Sequence, residues 1–362
     1  MIILFFLPLL FILGSAQSSN KCRALALQGG GDAGSWQAGV IAGLIANLPA
    51  EEVQYDVISG VSVGAINGLY VSTYSKGEEQ QMASELIALW TNLTRDQVYV
   101  PWDGTYLSVI RAFFDKPSLL DNSPAKKYLA NFMENKEVKR KISIGITDYA
   151  QLHPVVYDLD QDWTKENITN LVVDSASIPF FFPYRLQDNS IYVDGGVLLN
   201  LNIHSAVRRC TELGFDQKDI VMTVILPDAY GGGDISNITV DTNYTGWYMY
   251  QRYQAVQNYK TIMDDLIHAF FDFKDVEYKY IIIPETQLPS MDNILGQPVL
   301  FEHDQMVEMI QMGINDAKAE IANPKFRWWE ANRNNEEQII VRPDGTKERS
   351  FLSHHEEGKD QR

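Results

Sequence analysis

The chain has 362 residues, 45% of them hydrophobic, and a formal net charge of -17 at pH 7. This composition is that of a folded protein with a sizeable core, and it excludes a disordered chain. The acidic excess argues against nucleic-acid binding and against electrostatic docking on anionic lipid, so any membrane contact has to be apolar.

The chain begins with an uncharged apolar segment, Ile2 to Leu13, which is followed by the small residues Gly14-Ser15-Ala16. The segment is shorter than the roughly 20 residues that span a bilayer. Residues 1–16 are therefore predicted to be a secretory signal peptide, although no Lys or Arg precedes the apolar run. The polar residues Ser18 to Lys21 argue against the alternative, a buried first strand.

Two further features suit secretion. Cys22 and Cys210 would pair in an oxidising compartment, and the residues alone leave a disulfide and two buried thiols equally open. The chain also holds four Asn-x-Thr triplets, which accept glycans in a secreted protein. Their asparagines are Asn92, Asn167, Asn237 and Asn243.

A short buried strand of a parallel sheet is predicted at Cys22 to Leu27. Three glycines, Gly29-Gly30-Gly31, follow it and lead into a helix from Ser35 to about Leu48. Their amides are exposed because no Cβ covers them, which suits either a phosphate or an oxyanion. The Gly-x-Gly-x-x-Gly spacing, which ends at Gly34, also matches a dinucleotide fingerprint, but that site requires an acidic residue after the next strand.

The next predicted strand, Tyr55 to Ser59, instead leads into Gly60-Val61-Ser62-Val63-Gly64 and a helix. This pattern places Ser62 on a sharp strand-to-helix turn, where Gly60 and Gly64 are small because the backbone is crowded. Both loops leave the same edge of a right-handed βαβ unit, so Ser62 and the glycine amides should share one small volume. Such a site suits acyl transfer, although the pattern alone also fits a plain glycine-rich turn.

The region from Glu78 to about Met133 is predicted to be helical and to lack catalytic side chains. Its aromatic residues are interpreted as core or rim packing, although an acyl-chain pocket could draw on them; they are Trp90, Trp102, Phe113 and Phe114. The later predicted elements are a hairpin of strands 141–147 and 154–159, a helix from 164, strands 220–226 and 278–283, and helices 246–271 and 305–321. The proline-bounded apolar turn 174–184 is interpreted as a buried corner rather than a lipid-facing rim.

A strand that ends at Asp194 is followed by Gly195 and Gly196, which is common in plain turns and also suits a catalytic carboxylate. A serine nucleophile needs a base. Ser62, Asp194 and His303 occur in the order of an α/β-hydrolase triad, but a nucleophile on the second strand is too early for that fold. The other solution is a buried aspartate of raised pKa that accepts the serine proton directly.

Together these motifs resemble those of patatin-like phospholipases, and the resemblance covers about Arg23 to Val207. It rests on the Gly29 to Gly34 loop, on Gly60 to Gly64 and on Asp194-Gly195-Gly196, with supporting matches at Ala176 to Pro183 and at Asn200. The resemblance implies a three-layer α/β fold whose central, mostly parallel sheet has helices on both faces. It also implies a Ser62–Asp194 dyad and an oxyanion hole; the predicted donors are Gly29, Gly30, Gly31 and Gly34.

The expected substrate is a lipid or phospholipid, met during transient contact with a membrane or micelle, with no metal and no cofactor. Two residues depart from the family: Ala33 replaces a common Arg or Lys, and Asn202 replaces a common proline. Residues 22–207 would form the catalytic core, 208–332 the rest of the domain, and 333–362 a flexible polar tail. An acyltransferase and a non-catalytic lipid-binding or storage glycoprotein are the alternatives.

Overall fold

The computed structural model of the chain describes residues 21–102, 112, 114–160, 162–227, 245–289 and 299–324, together with the backbone of 337–341 and 347–351. The strands are β1 Cys22–Leu27, β2 Val57–Val61, β3 Val100–Pro101, β4 Leu120–Asp121, β5 Lys141–Asp148, β6 His153–Leu159, β7 Arg185–Gln187, β8 Ser190–Asp194, β9 Ile220–Ile225, β10 Glu277–Ile282, β11 Glu337–Val341 and β12 Lys347–Phe351.

The α-helices alternate with these strands along much of the chain. They are α1 Gly34–Asn47, α2 Ala50–Val53, α3 Val63–Ser72, α4 Glu79–Asn92, α5 Arg95–Val98, α6 Ser123–Met133, α7 Lys165–Ser175, α8 Ile203–Glu212, α9 Gly246–Asp272 and α10 His303–Ala322. None of the helices in the described ranges combines the length and the hydropathy that a bilayer crossing requires.

An eight-stranded mixed sheet organises the chain. Its hydrogen-bonded order is β10-β9-β1-β2-β5-β8-β7, with β6 as a further partner of β5. The strands β10, β9, β1, β2 and β5 are parallel to their neighbours in this order, whereas β6 and β8 are antiparallel to β5. The predicted fold class is confirmed: the sheet is mostly parallel and helices surround it.

The alternating side chains of β1 show that both faces of the sheet are covered. Leu25 and Leu27 belong to a hydrophobic cluster that includes residues of α1, α3, α4, α6, α7 and α10. Ala24 and Ala26 belong to a second cluster, formed with α8 and α9. Since successive strand residues point to opposite faces, the molecule has three layers. Cys22 lies in the second cluster and forms a disulfide bond with Cys210 of α8, which answers a question that the residues left open.

Most predicted elements are present, with shifted ends. The β2 strand runs to Val61 rather than Ser59, because its polar and small residues are buried in the middle of a parallel sheet that satisfies their backbone groups. The tail, predicted to be flexible, contains the paired strands β11 and β12. The predicted signal peptide, Phe113 and two of the glycan acceptors, Asn237 and Asn243, lie outside the described residues.

Candidate active site

Ser62 occupies the turn between β2 and α3 in a strained conformation. Its φ of 54° and ψ of -126° lie in a region that residues with a Cβ rarely adopt. The turn is tight, since a Cβ on Gly60 would lie 2.3 Å from the carbonyl oxygen of Gly64. A Cβ on Gly64 would lie 2.4 Å from the carbonyl oxygen of Leu27. Both glycines therefore let the backbones of the turn and of β1 approach each other.

Replacement of Gly64 by Ala should destabilise the fold by about 3 kcal/mol, because the contacted atoms are main-chain and cannot rotate away. Urea unfolding followed by circular dichroism measures the loss. The matched control is Gly246→Ala, since a Cβ at Gly246 meets no atom within 4 Å; it should change stability by less than about 1 kcal/mol. Equal stabilities of the two variants would contradict the predicted crowding.

The register of β5 explains how Asp194 reaches Ser62. The β6 strand follows one edge of β5 over its whole paired length, so β2 and β8 share the other edge. Val61, the last residue of β2, pairs with Gly145. Asp194, the last residue of β8, pairs with the next residue of β5, Ile146. The two strands therefore end head to head, which brings Asp194 close to Ser62, the residue after Val61.

Asp194 is buried, with 5% of its surface exposed, and burial raises the pKa of its carboxyl to about 7. Hydrogen bonds from the Ser62 side chain and from the Gly196 amide, which donates to Oδ1 at 2.7 Å, oppose this rise. The other carboxyl oxygen of Asp194, Oδ2, accepts no hydrogen bond from the described residues. The Ser62 side chain is nonetheless near enough to the carboxyl to lower its pKa. A carboxyl of this pKa beside a serine can act as a general base near neutral pH.

Ser175, at the end of α7, holds the backbone of Ser62 in place. Its hydroxyl accepts a hydrogen bond from the Ser62 amide at 2.9 Å and donates to the carbonyl of Gly145 at 2.6 Å. The Ser62 amide is thereby occupied. No pattern near Ser175 in the sequence marks this distant contact.

The glycine loop lies beside Ser62, and two of its four predicted donors are already engaged. The Gly29 amide donates to the carbonyl and side-chain oxygens of Asn200, at 3.3 and 3.2 Å. The Gly34 amide closes the short 3₁₀ turn Gly31–Ala33. The amides of Gly30 and Gly31 donate to no other group in the part of the chain that the structure describes. As far as the described residues go, these two amides are available to a ligand.

Asn200 joins the glycine loop to the loop that follows Asp194. Its Oδ1 would lie 2.4 Å from a Cβ on Gly29 and 2.8 Å from one on Gly196. Asp265 of α9 in turn accepts hydrogen bonds from the amides of Leu201 and Asn200, and burial raises its pKa to about 7. No sequence signal identifies Asp265, which is one acidic residue within a long helix.

The structure shows where the two residues that depart from the family pattern, Ala33 and Asn202, lie. Asn202 caps α8, since its side chain accepts a hydrogen bond from the Ser205 amide at 3.1 Å. Ala33 is buried in the 3₁₀ turn of the glycine loop. That turn is held by other contacts, among them the hydrogen bond from the Asn67 side chain to the Gly34 carbonyl at 3.0 Å.

An apolar pocket that is open on one side extends from Ser62 and Gly31. Its aromatic lining residues are Tyr70, Trp90, Tyr128, Phe132, Phe182 and Phe301. The region 78–133 thus supplies many of the residues that line the pocket, as the sequence had left open. The turn 174–184 is partly the predicted buried corner: Phe181 and Phe182 are buried, whereas Phe180 is 50% exposed.

The histidines in the described ranges, His153, His204, His268 and His303, do not line this pocket. His303 is 61% exposed and its Nδ1 lies 3.0 Å from Asp304. The geometry therefore offers no support for a triad through His303. Those ranges also hold no group of three His, Cys, Asp or Glu residues arranged to bind a metal ion.

A serine on a strained turn, a buried carboxyl of raised pKa and an adjoining apolar pocket are the features of a serine esterase for apolar acyl substrates. The family model described as patatin-like phospholipase matches residues 25–207, which is half of the chain. The chain belongs to the patatin-like phospholipase family, and it is a lipid-hydrolysing esterase.

Twelve chains of solved structures match significantly. One of them, the crystal structure of VipD from Legionella pneumophila, is 13% identical and aligns with a TM-score of 0.32. The alignment covers 80% of this chain and 67% of that chain. A search of curated proteins finds no significant match.

Proposed function

We propose that this protein is a secreted lipid acyl hydrolase of the phospholipase A or lysophospholipase type and that Ser62 and Asp194 form its catalytic dyad. The observation that carries the proposal is the register of β5, which places the ends of β2 and β8 side by side, with Ser62 at the wall of an apolar pocket. The carboxyl has a raised pKa, and no described histidine lines that pocket.

In the proposed reaction, Ser62 Oγ attacks the ester carbonyl while Asp194 accepts its proton. The carbonyl oxygen becomes negative and is stabilised by the amides of Gly30 and Gly31, aided by the positive N-terminal end of α3. Asp194 then returns the proton to the leaving alcohol as the C–O bond breaks. Water, deprotonated by Asp194, attacks the acyl-Ser62 ester and releases the fatty acid, and the proton returns to Ser62.

Three observations support secretion as part of this proposal. The N-terminal segment has the pattern of a signal peptide. The Cys22–Cys210 disulfide suits an oxidising compartment. Asn92 and Asn167, the two acceptor asparagines within the described ranges, are exposed on the surface.

A labelled fluorophosphonate probe, followed by peptide mass spectrometry, tests the nucleophile. We expect wild-type protein to be labelled at Ser62, and Ser62→Ala and heat-denatured wild type to stay unlabelled. A panel of phospholipids and lysophospholipids, assayed with a chelator, should then yield free fatty acid. Transfer of the acyl group to an added alcohol in place of release would identify a transferase, and a folded wild type that neither labels nor releases fatty acid would contradict catalysis.

A further inference from the structure

One arm of the apolar pocket follows helix α3 away from the nucleophile. Ser62, Ile66 and Tyr70 line the pocket at intervals of four residues. Residues at this spacing lie on one helix face, about 6 Å apart along the axis. The arm therefore runs from Ser62 to Tyr70 along the same face of α3.

Helix α6 forms a second wall in the same direction. Asn122, Ala125, Leu129 and Phe132 line the pocket at spacings of three and four residues. The near end is defined by Asn122, whose Nδ2 donates to Ser177 Oγ at 3.3 Å. The backbone of Ser177 in turn accepts a hydrogen bond from the Asp194 amide at 2.9 Å, so Asn122 lies beside the catalytic strand. Phe132 is accordingly at the far end, as Tyr70 is on α3.

Tyr70 and Phe132 close this far end together. Their rings stack with centroids 4.7 Å apart and an interplanar angle of 17°. Tyr70 is only 5% exposed and Phe132 is partly buried, so the stacked pair forms the end wall of the arm.

A polar cluster lies directly behind the stack. The Tyr70 hydroxyl is 3.2 Å from that of Tyr74 and 3.5 Å from Glu85 Oε2, and Lys136 Nζ donates to the Tyr74 hydroxyl at 2.9 Å. Glu85 and Lys136 are partly exposed to water. An alkyl chain that passed the stack would have to displace these polar groups from their partners or their water, which is unfavourable.

The length of the arm follows from helix geometry. Eight residues separate Ser62 from Tyr70, or about 12 Å of helix, and ten separate Asn122 from Phe132, or about 15 Å. An extended alkyl chain advances roughly 1.25 Å per carbon, because its tetrahedral C–C bonds zigzag. The arm therefore encloses a chain of about ten to twelve carbons.

We propose that Tyr70 and Phe132 are specificity-determining residues that set the upper length limit of the acyl chain, so that the protein prefers medium-chain acyl groups. The effect on hydrolysis rests on the proposed hydrolase function, whereas the limit on acyl-chain binding rests on the pocket alone. Neither aromatic residue contacts the scissile bond; they act on the far end of the chain.

The test measures kcat/KM for p-nitrophenyl esters of 4, 8, 10 and 16 carbons. Wild type should hydrolyse the 16-carbon ester at least about tenfold less efficiently than the 10-carbon ester, because the excess chain cannot be accommodated. Phe132→Ala should raise the 16-to-10 ratio by about tenfold. Ala125→Phe, which fills the arm in the first turn of α6, should lower the 10-to-4 ratio by a similar factor. Phe271→Ala, a matched truncation of an exposed ring on α9, should keep the wild-type profile.

Binding of fatty acids of the same lengths to Ser62→Ala, measured by calorimetry, separates this inference from the proposed reaction. A length limit in binding that Phe132→Ala removes would support the inference even if no ester were hydrolysed. A wild-type profile that does not fall beyond about twelve carbons would overturn it. The same chain-length limit in Phe132→Ala and Ala125→Phe would also overturn the inference. In either case, hydrolysis of short esters would still support the dyad.

Discussion

Replacement of Asp194 by Asn is expected to lower kcat/KM for ester hydrolysis by about 10²–10⁴-fold, the usual contribution of a general base. The amide has the shape of the carboxyl, and its oxygen can still accept the hydrogen bond from Gly196. It cannot accept the proton of Ser62. Steady-state kinetics with a short p-nitrophenyl ester measure the loss, and labelling by the fluorophosphonate probe should slow in parallel.

The control for this prediction is His303→Ala, which should retain near wild-type activity because His303 is exposed and does not line the pocket. If His303→Ala lost activity as Asp194→Asn does, the dyad would be replaced by a triad of Ser62, Asp194 and His303. The wild-type pH profile adds a second readout. Asp194 must be ionised to accept a proton, so kcat/KM should rise with pH through about 7, the raised pKa of its carboxyl.

The same variant should also change how stability depends on pH. Burial raises the pKa of Asp194 from 3.8 to about 7, so the folded state binds the proton more tightly than the unfolded state. The stabilising effect of that proton is complete below pH 3.8 and is lost as pH rises through about 7. Asp194→Asn does not titrate. Its free energy of unfolding relative to wild type should therefore increase by about 2–3 kcal/mol between pH 5 and pH 8, as measured by urea unfolding.

The parts of the site that could be predicted are those carried by consecutive residues. A strand, a glycine loop and a helix at Cys22 to Leu48 are a local pattern, and so is the turn around Ser62. Asp194 was marked by its position at a strand end before two glycines. Each of these signals lies within one continuous stretch of the chain, over which hydrophobic pattern and turn chemistry act directly.

The contacts that hold the site together could not be predicted in this way, because they join residues far apart in the chain. Ser175 supports Ser62 across 113 positions, and Asn200 holds Gly29 across 171. The antiparallel β8, which brings Asp194 to the end of β2, depends on a register that no local pattern states. For the same reason the sequence named Gly29 and Gly34 as oxyanion donors, whereas their amides are occupied by partners that only the fold provides.

The strained backbone at Ser62 lowers the stability of the fold, whereas its hydroxyl serves the reaction. Two substitutions of Ser62 separate these two effects. Ser62→Ala and Ser62→Gly both remove the nucleophile and should lower kcat by about 10⁵–10⁶-fold, the scale of nucleophile loss in serine hydrolases. They differ in the backbone, because Ala keeps the Cβ at a φ of 54° and Gly does not.

Backbone strain of this kind destabilises the fold by about 1–3 kcal/mol, and Gly relieves it. Gly also destabilises the fold by roughly 0.5–1 kcal/mol, because its unfolded chain is more flexible. Ser62→Gly should therefore be about 1 kcal/mol more stable than Ser62→Ala in urea unfolding. A control pair at exposed Ser123, at the start of α6 where φ is ordinary, should show the opposite order, because Gly weakens a helix relative to Ala. If Ser62→Gly were the less stable of the two, the strain at the nucleophile would have to be absent in solution. If either variant kept substantial activity, Ser62 could not be the residue that carries the acyl group.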